Sequence, residues 1–114
     1  MKIVYLASPY RNGSEFEVYQ NIHRAQEMAR QIWALGLVCI SPCGNTAFFG
    51  GTDIPDSVWL DGDLEILRRC DVLFANDGWE DSPGCMFETA LAMQLQLPVF
   101  YDLTSLKKWA DEQK

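Results

Sequence analysis

Glu88 stands in Gly84-Cys-Met-Phe-Glu-Thr-Ala-Leu-Ala-Met93, a run otherwise apolar or small apart from Thr89. Positions 84, 85, 91 and 92 offer no Lys or Arg to pair with it across a helical turn. A carboxylate that is ionised, oriented and partly shielded from water is a competent nucleophile. Tyr5, inside an apolar run near the N-terminus, is positioned to orient it by hydrogen bonding if both side chains face the same way. A second acid is available from Asp61, Asp63 or Glu65, and Asp63 directly precedes the apolar pair Leu64 and Leu67. Two carboxylates about 5 Å apart suit a retaining displacement at an anomeric carbon, one attacking and the other protonating the leaving group. The plainer alternatives are a Glu88 that snorkels to solvent and an Asp63 that is an ordinary helix-surface acid. Asp61 and Asp63 differ by two helix positions and therefore face different ways.

The other end of a ligand has candidates too. Ser82 reads as an N-cap with Pro83 as first helical residue, so free backbone N–H groups lie near Asp81, Ser82 and Gly84, where an anionic group is welcome. Arg11, beside Ser8 and Asn12, has the donor fork that suits a phosphate, although a lone loop Arg is commonly just solvated. Phe48 and Phe49 can stack on a base or anchor their own loop. Trp79 can wall a pocket or close a subunit contact, and His23 falls on a helix surface with no role assigned.

These residues need a scaffold, and the hydropathy pattern supplies one. Apolar runs over 2–7, 37–41, 71–75 and 98–101 predict short buried strands. Between them, Ser14-Glu-Phe-Glu17 is a capping-box start to a helix that Gly36 stops, and Asp56 or Ser57 caps a second with Val58, Trp59, Leu60, Leu64, Ile66 and Leu67 inward. The opening stretch is the third helix, and Thr104 caps the last. The span from Cys43 to Asp56 has little periodicity and reads as a long loop, a candidate lid. Strand and helix alternation predicts an α/β fold: a doubly wound, flavodoxin- or Rossmann-like, mostly parallel sheet of four to five strands with helices on both faces. In such sheets ligands bind beyond the C-terminal strand ends, where strand order reverses. The loops after the first three strands all reach that edge.

With 114 residues, 48% of them hydrophobic and 22% charged, the expectation is one domain over 1–114 with a packed core. A net charge of −7 opposes binding to a nucleic-acid polymer, which needs clustered Lys and Arg. No run approaches the length of a membrane span and the first residues read as a strand, so a cytoplasmic protein without a membrane partner is expected. Cys39, Cys43, Cys70 and Cys85 form no Cys-x-x-Cys pair and read as buried free thiols; neither a metal nor a cofactor is expected.

Three stretches, Ile3-Val-Tyr-Leu-Ala-Ser-Pro-Tyr-Arg11, Asp63-Leu-Glu-Ile-Leu-Arg-Arg-Cys-Asp-Val72 and Gly78-Trp-Glu-Asp-Ser-Pro-Gly-Cys-Met-Phe-Glu88, together with Ala92 and Pro98-Val99, carry a resemblance that covers most of the chain. They resemble the nucleoside 2-deoxyribosyltransferase-like superfamily, which includes 2'-deoxynucleoside 5'-monophosphate N-glycosidases and small uncharacterised members, the latter being closest. The resemblance implies that Glu88 takes the deoxyribosyl group, Asp63 is the acid/base and Tyr5 orients the nucleophile. It further implies that Arg11 and Ser82 contact a 5'-phosphate. Pro9 departs from the pattern, standing where the hydrolases have another phosphate-binding serine, with Ser8 as a substitute. Leu103 to Lys114 lack the polar residues with which transferases complete a neighbour's pocket. The implied activity is cleavage or transfer at the N-glycosidic bond of a 2'-deoxynucleoside or its 5'-monophosphate, hydrolysis favoured, in a homodimer or higher homo-oligomer. The competing reading is a non-catalytic nucleotide-binding or regulatory module on the same fold.

Overall fold

The computed structural model describes residues 1–11 and 13–114; Asn12 lies outside the described residues. Four strands, β1 (Ile3–Ala7), β2 (Val38–Ile40), β3 (Val72–Ala75) and β4 (Val99–Phe100), form one parallel sheet in the order β2-β1-β3-β4. The chain moves from β1 to one side and then returns past it to the other, so the strand order reverses between β1 and β3. Among the described residues no helix is long and apolar enough to cross a membrane.

Five helices connect the strands: α1 (Glu15–Ala34), α2 (Pro42–Asn45), α3 (Asp56–Arg68), α4 (Pro83–Gln94) and α5 (Leu103–Glu112). Strand alternation sorts the core into two layers. Val4, Leu6, Val72 and Phe74 face Ile32 of α1 and Leu106 of α5, whereas Tyr5, Ala7, Leu73 and Ala75 face Leu67 of α3 and Ala92 of α4. The candidate acids Asp63 and Glu88 therefore ride on the two helices that cover the Tyr5 face.

Local chemistry sets the boundaries. Ser14 Oγ accepts from the Glu17 N–H at 3.4 Å to start α1, and Gly36, at φ +83°, follows its end in a left-handed conformation that glycine tolerates without strain. Three expectations are corrected. The 43–56 segment is not all loop, because Pro42, with its fixed φ, starts the single turn α2. Helix α3 includes Asp56, with Pro55 as the N-cap and no side-chain cap, and in its first turns Val58 and Leu60 do not turn inward but stand 57% and 49% exposed. Asp102, not Thr104, caps α5, its Oδ1 accepting from the Ser105 N–H at 2.8 Å, because a carboxylate reaches the third N–H while Thr104 already lies inside the helix.

Candidate active site

Tyr5 sits in the central strand with Ile40 and Leu73 as its register partners on either side, and it is fully buried. Its hydroxyl donates to Glu88 Oε2. Glu88 reaches that position because Ser82 starts α4: Ser82 Oγ accepts from the Cys85 N–H at 3.3 Å, and Pro83 supplies a preset φ. Six residues further on, about 9 Å along the axis, the carboxylate drops onto the sheet face. Before that helix, Gly78, at φ +87°, lets the loops after β1 and β3 approach closely, since a Cβ there would stand 3.3 Å from Pro9 Cγ.

The electrostatics follow from burial. Removal from water pushes Glu88 up to about 7, the Tyr5 hydroxyl opposes that rise, and the Asp63 charge adds to it. Burial likewise raises Asp63 to about 6. Tyr5 is driven far above the usual phenol range by burial first and then by Glu88, so it stays a proton donor at every physiological pH. Asp63 is half-buried and its charge reaches both Tyr5 and Glu88, whereas Asp61 is exposed to solvent. Helix periodicity separates the two, and Asp63 has the inward side.

The remaining sequence candidates divide. Ser82 and Gly84 lie at the start of α4, with Asp81 exposed in the 3-10 turn Trp79–Asp81 before it. Ser8 takes the other side of the sheet: its hydroxyl accepts from Asn76 Nδ2 at 3.1 Å and lines a cavity of about 220 Å³ with Asn21, Arg24 and Gln31 of α1. The structure does not bring it to the Tyr5–Glu88 pair. Arg11 Nη2 lies 2.9 Å from Asp56 Oδ2. Phe48 is 63% exposed at φ +64°, and its N–H donates to the Tyr10 hydroxyl at 2.9 Å. Phe49 instead anchors the loop, packing edge-on against Trp59 with ring centroids 6.1 Å apart. Trp79 stacks on Tyr101 at 5.4 Å, and His23 is exposed on α1.

Three residues escaped sequence reasoning. Cys43, its thiol raised by burial, is close enough to Glu88 and Asp63 to feel both charges and walls the site as a small apolar group. Tyr10 and Asp56 brace the loop after β1. Nothing in a lone Cys, Tyr or Asp marks such a role; for Asp56 only its seven-residue spacing from Asp63, two helical turns, is visible in advance.

Tyr5→Phe is expected to lower turnover roughly 10- to 100-fold by freeing the Glu88 carboxylate from its donor. Because the Tyr5 bond holds the Glu88 pKa down, its loss moves the upper limb of the pH–rate profile to higher pH. An unchanged profile would assign the hydroxyl to packing alone.

Comparison with known protein families supplies the grouping. Residues 2–102 match the model described as Domain of unknown function (DUF1937). The chain belongs to the DUF1937 family. No curated protein matches it. Among solved structures, the DUF1937 chain is similar to a 2-deoxyribosyltransferase from Bacillus psychrosaccharolyticus, with TM-score 0.65 and 23% identity over 85% of this chain and 69% of that one. It is also similar to a 2-desoxiribosyltransferase from Leishmania mexicana, with TM-score 0.61 and 16% identity over 87% of this chain and 62% of that one. At these identities the likeness is one of fold: the DUF1937 chain has a deoxyribosyltransferase-like, Rossmann-like α/β fold.

Proposed function

We propose that the protein cleaves or transfers at the N-glycosidic bond of a 2'-deoxynucleoside or its 5'-monophosphate through a covalent glycosyl-Glu88 intermediate. The observation that carries this reading is the buried Tyr5–Glu88 hydrogen bond with Asp63 in electrostatic range. Glu88 attacks C1', the bond from C1' to the base nitrogen breaks, and Asp63 gives its proton to the departing base. In the second half, Asp63 takes a proton from water, whose oxygen attacks C1' and returns Glu88 as a carboxylate. An acceptor base in place of water completes a transfer. The two similar structures are deoxyribosyltransferases, which supports deoxyribosyl chemistry at this site.

The assay is incubation with 2'-deoxynucleosides and their 5'-monophosphates, with free base and deoxyribose followed by chromatography. Base release in water supports a hydrolase, and base exchange at equal rate a transferase. Binding without release of base would favour the non-catalytic nucleotide module.

The active unit is proposed to be a homo-oligomer, and the support is α4, which carries apolar side chains around its whole circumference. Met86, Phe87 and Met93 on it are exposed, as are Val58 and Leu60 on the neighbouring α3. A helix of that composition is ordinarily covered, and a second copy of the chain is the occupant proposed here. A monomeric mass by light scattering would refute this.

A further inference from the structure

Between α1 and the C-terminal ends of β1 and β3 lies the cavity of about 220 Å³ that Ser8 lines. β1 and β3 are neighbours, with Ala7 opposite Ala75, and their connections leave toward opposite faces of the sheet, so a crevice opens between them. The Tyr5–Glu88 pair belongs to the face that α3 and α4 cover, and this cavity to the face that α1 covers. Helix α1 contributes two adjacent stripes. Ile22, Ala25 and Ile32 are buried in the core, whereas Asn21, Arg24, Met28 and Gln31 line the cavity, three of the four with polar groups.

The hydrogen bonds of the lining leave a defined remainder. Asn76, only 7% exposed, accepts from the Asp77 N–H at 2.9 Å through Oδ1 and donates one Nδ2 proton to Ser8 Oγ at 3.1 Å. Its second Nδ2 proton and the Ser8 hydroxyl proton remain for another acceptor. Arg24 uses one N–H, donating from Nη1 to Asn21 Oδ1 at 3.0 Å, and keeps the rest of its fork. Among the described residues Arg24 has no carboxylate partner and the exposed Asp77 no cation, while Glu27 beside them is held by Arg30 at 2.7 Å. One cavity thus offers a set of donors that suits a carboxylate and, separately, an uncommitted carboxylate that suits a cation.

We propose that this cavity binds a free α-amino acid, with its carboxylate on Arg24, Ser8 and Asn76 and its ammonium on Asp77. A simple anion would leave Asp77 beside it as a like charge; a zwitterion matches Arg24 and Asp77 together. The volume of about 220 Å³ lies below the roughly 300–1,000 Å³ of pockets that take drug-sized ligands, which suits a single small metabolite. Gln31 stands about 10 Å beyond Arg24 along the helix, and with Met28 between them it gives a neutral side chain an amphipathic wall.

The test is calorimetric binding of glycine, L-serine, L-glutamine and L-methionine, each beside its methyl ester, which lacks the carboxylate charge, and its N-acetyl derivative, which lacks the ammonium. At least one free amino acid should bind, and both of its derivatives should bind about tenfold more weakly or worse. Arg24→Met and Asp77→Asn, both at exposed positions, should each weaken that amino acid by about tenfold or more. Arg68→Met, which removes the same charge from α3, should not, and Glu88→Gln should leave the affinity unchanged. Absence of binding by all four, a derivative that binds as well as its parent, or an affinity that Arg24→Met does not move overturns the proposal. Loss of binding in Glu88→Gln would move the ligand to the Tyr5–Glu88 site and overturn it as well.

Discussion

Glu88→Gln is expected to reduce base release by about 10³-fold or more while making the protein harder to unfold at pH 8. The first effect follows from removing the proposed nucleophile. The second follows from proton linkage. An ordinary Glu titrates at 4.5, and burial raises Glu88 to about 7 in the folded protein. Between those values the folded state binds more protons than the unfolded one, so stability falls as pH rises through the window and the deficit is complete above about 7. Gln carries no charge to bury and keeps an oxygen for the Tyr5 hydroxyl. The gain at pH 8 is on the order of 2 kcal/mol, or roughly 5–10 °C in Tm, and it should vanish near pH 4, where both carboxyls are protonated. Equal melting temperatures for the two proteins across pH 4–8 would contradict a buried Glu88.

Asp63→Asn should cost about 10²- to 10⁴-fold on substrates whose base must be protonated to depart. On a nucleoside with an N7-methylated purine, which departs without needing a proton, the loss should be far smaller. The wild-type profile is expected to be a bell with limbs near 6 and 7, the values to which burial brings Asp63 and Glu88. Because Glu88 stands above Asp63, the productive arrangement, Glu88 ionised and Asp63 protonated, is roughly a tenth of the singly protonated molecules. In Asp63→Asn the descending limb disappears. The single ascending limb that remains belongs to Glu88 and lies below its wild-type value of about 7, because the Asp63 charge is one cause of the Glu88 rise. Equal losses on both kinds of leaving group would make Asp63 a structural residue.

Much of this arrangement is legible in the sequence, for reasons that can be named. The strands read as β because their apolar runs are short, three of the four being bounded by Pro or Gly, and the α4 start reads because Ser82 and Pro83 have only a few uses side by side. Glu88 stands out because a lone acid in an apolar helix lacks a partner at helical spacing. What is hidden depends on direction and distance. Ser8 and Tyr5 lie three positions apart on one chain segment, yet strand alternation sends them to opposite faces, so Ser8 meets Asn76 while Tyr5 meets Glu88. The Arg11–Asp56 pair spans 45 residues, and although Arg11 ends a stretch that carries the family resemblance, nothing around Asp56 marks it as the partner. The exposure of Val58 and Leu60 on α3 depends on what packs against the first turns of that helix, which periodicity does not encode.

The position of Tyr5 has a consequence for how the site ages under heat. Its strand is hydrogen-bonded on both flanks, and its ring is sealed between α3, α4 and the sheet, so its amide exchanges hydrogen only when the whole fold opens. The Arg11–Asp56 tie is solvent-exposed on loops and opens in small, local excursions. On warming, therefore, the Arg11–Asp56 tie is expected to open before the Tyr5–Glu88 pair is disturbed. The buried hydrogen bond is thus expected in the most slowly exchanging part of the molecule and the exposed ion pair in one of the fastest.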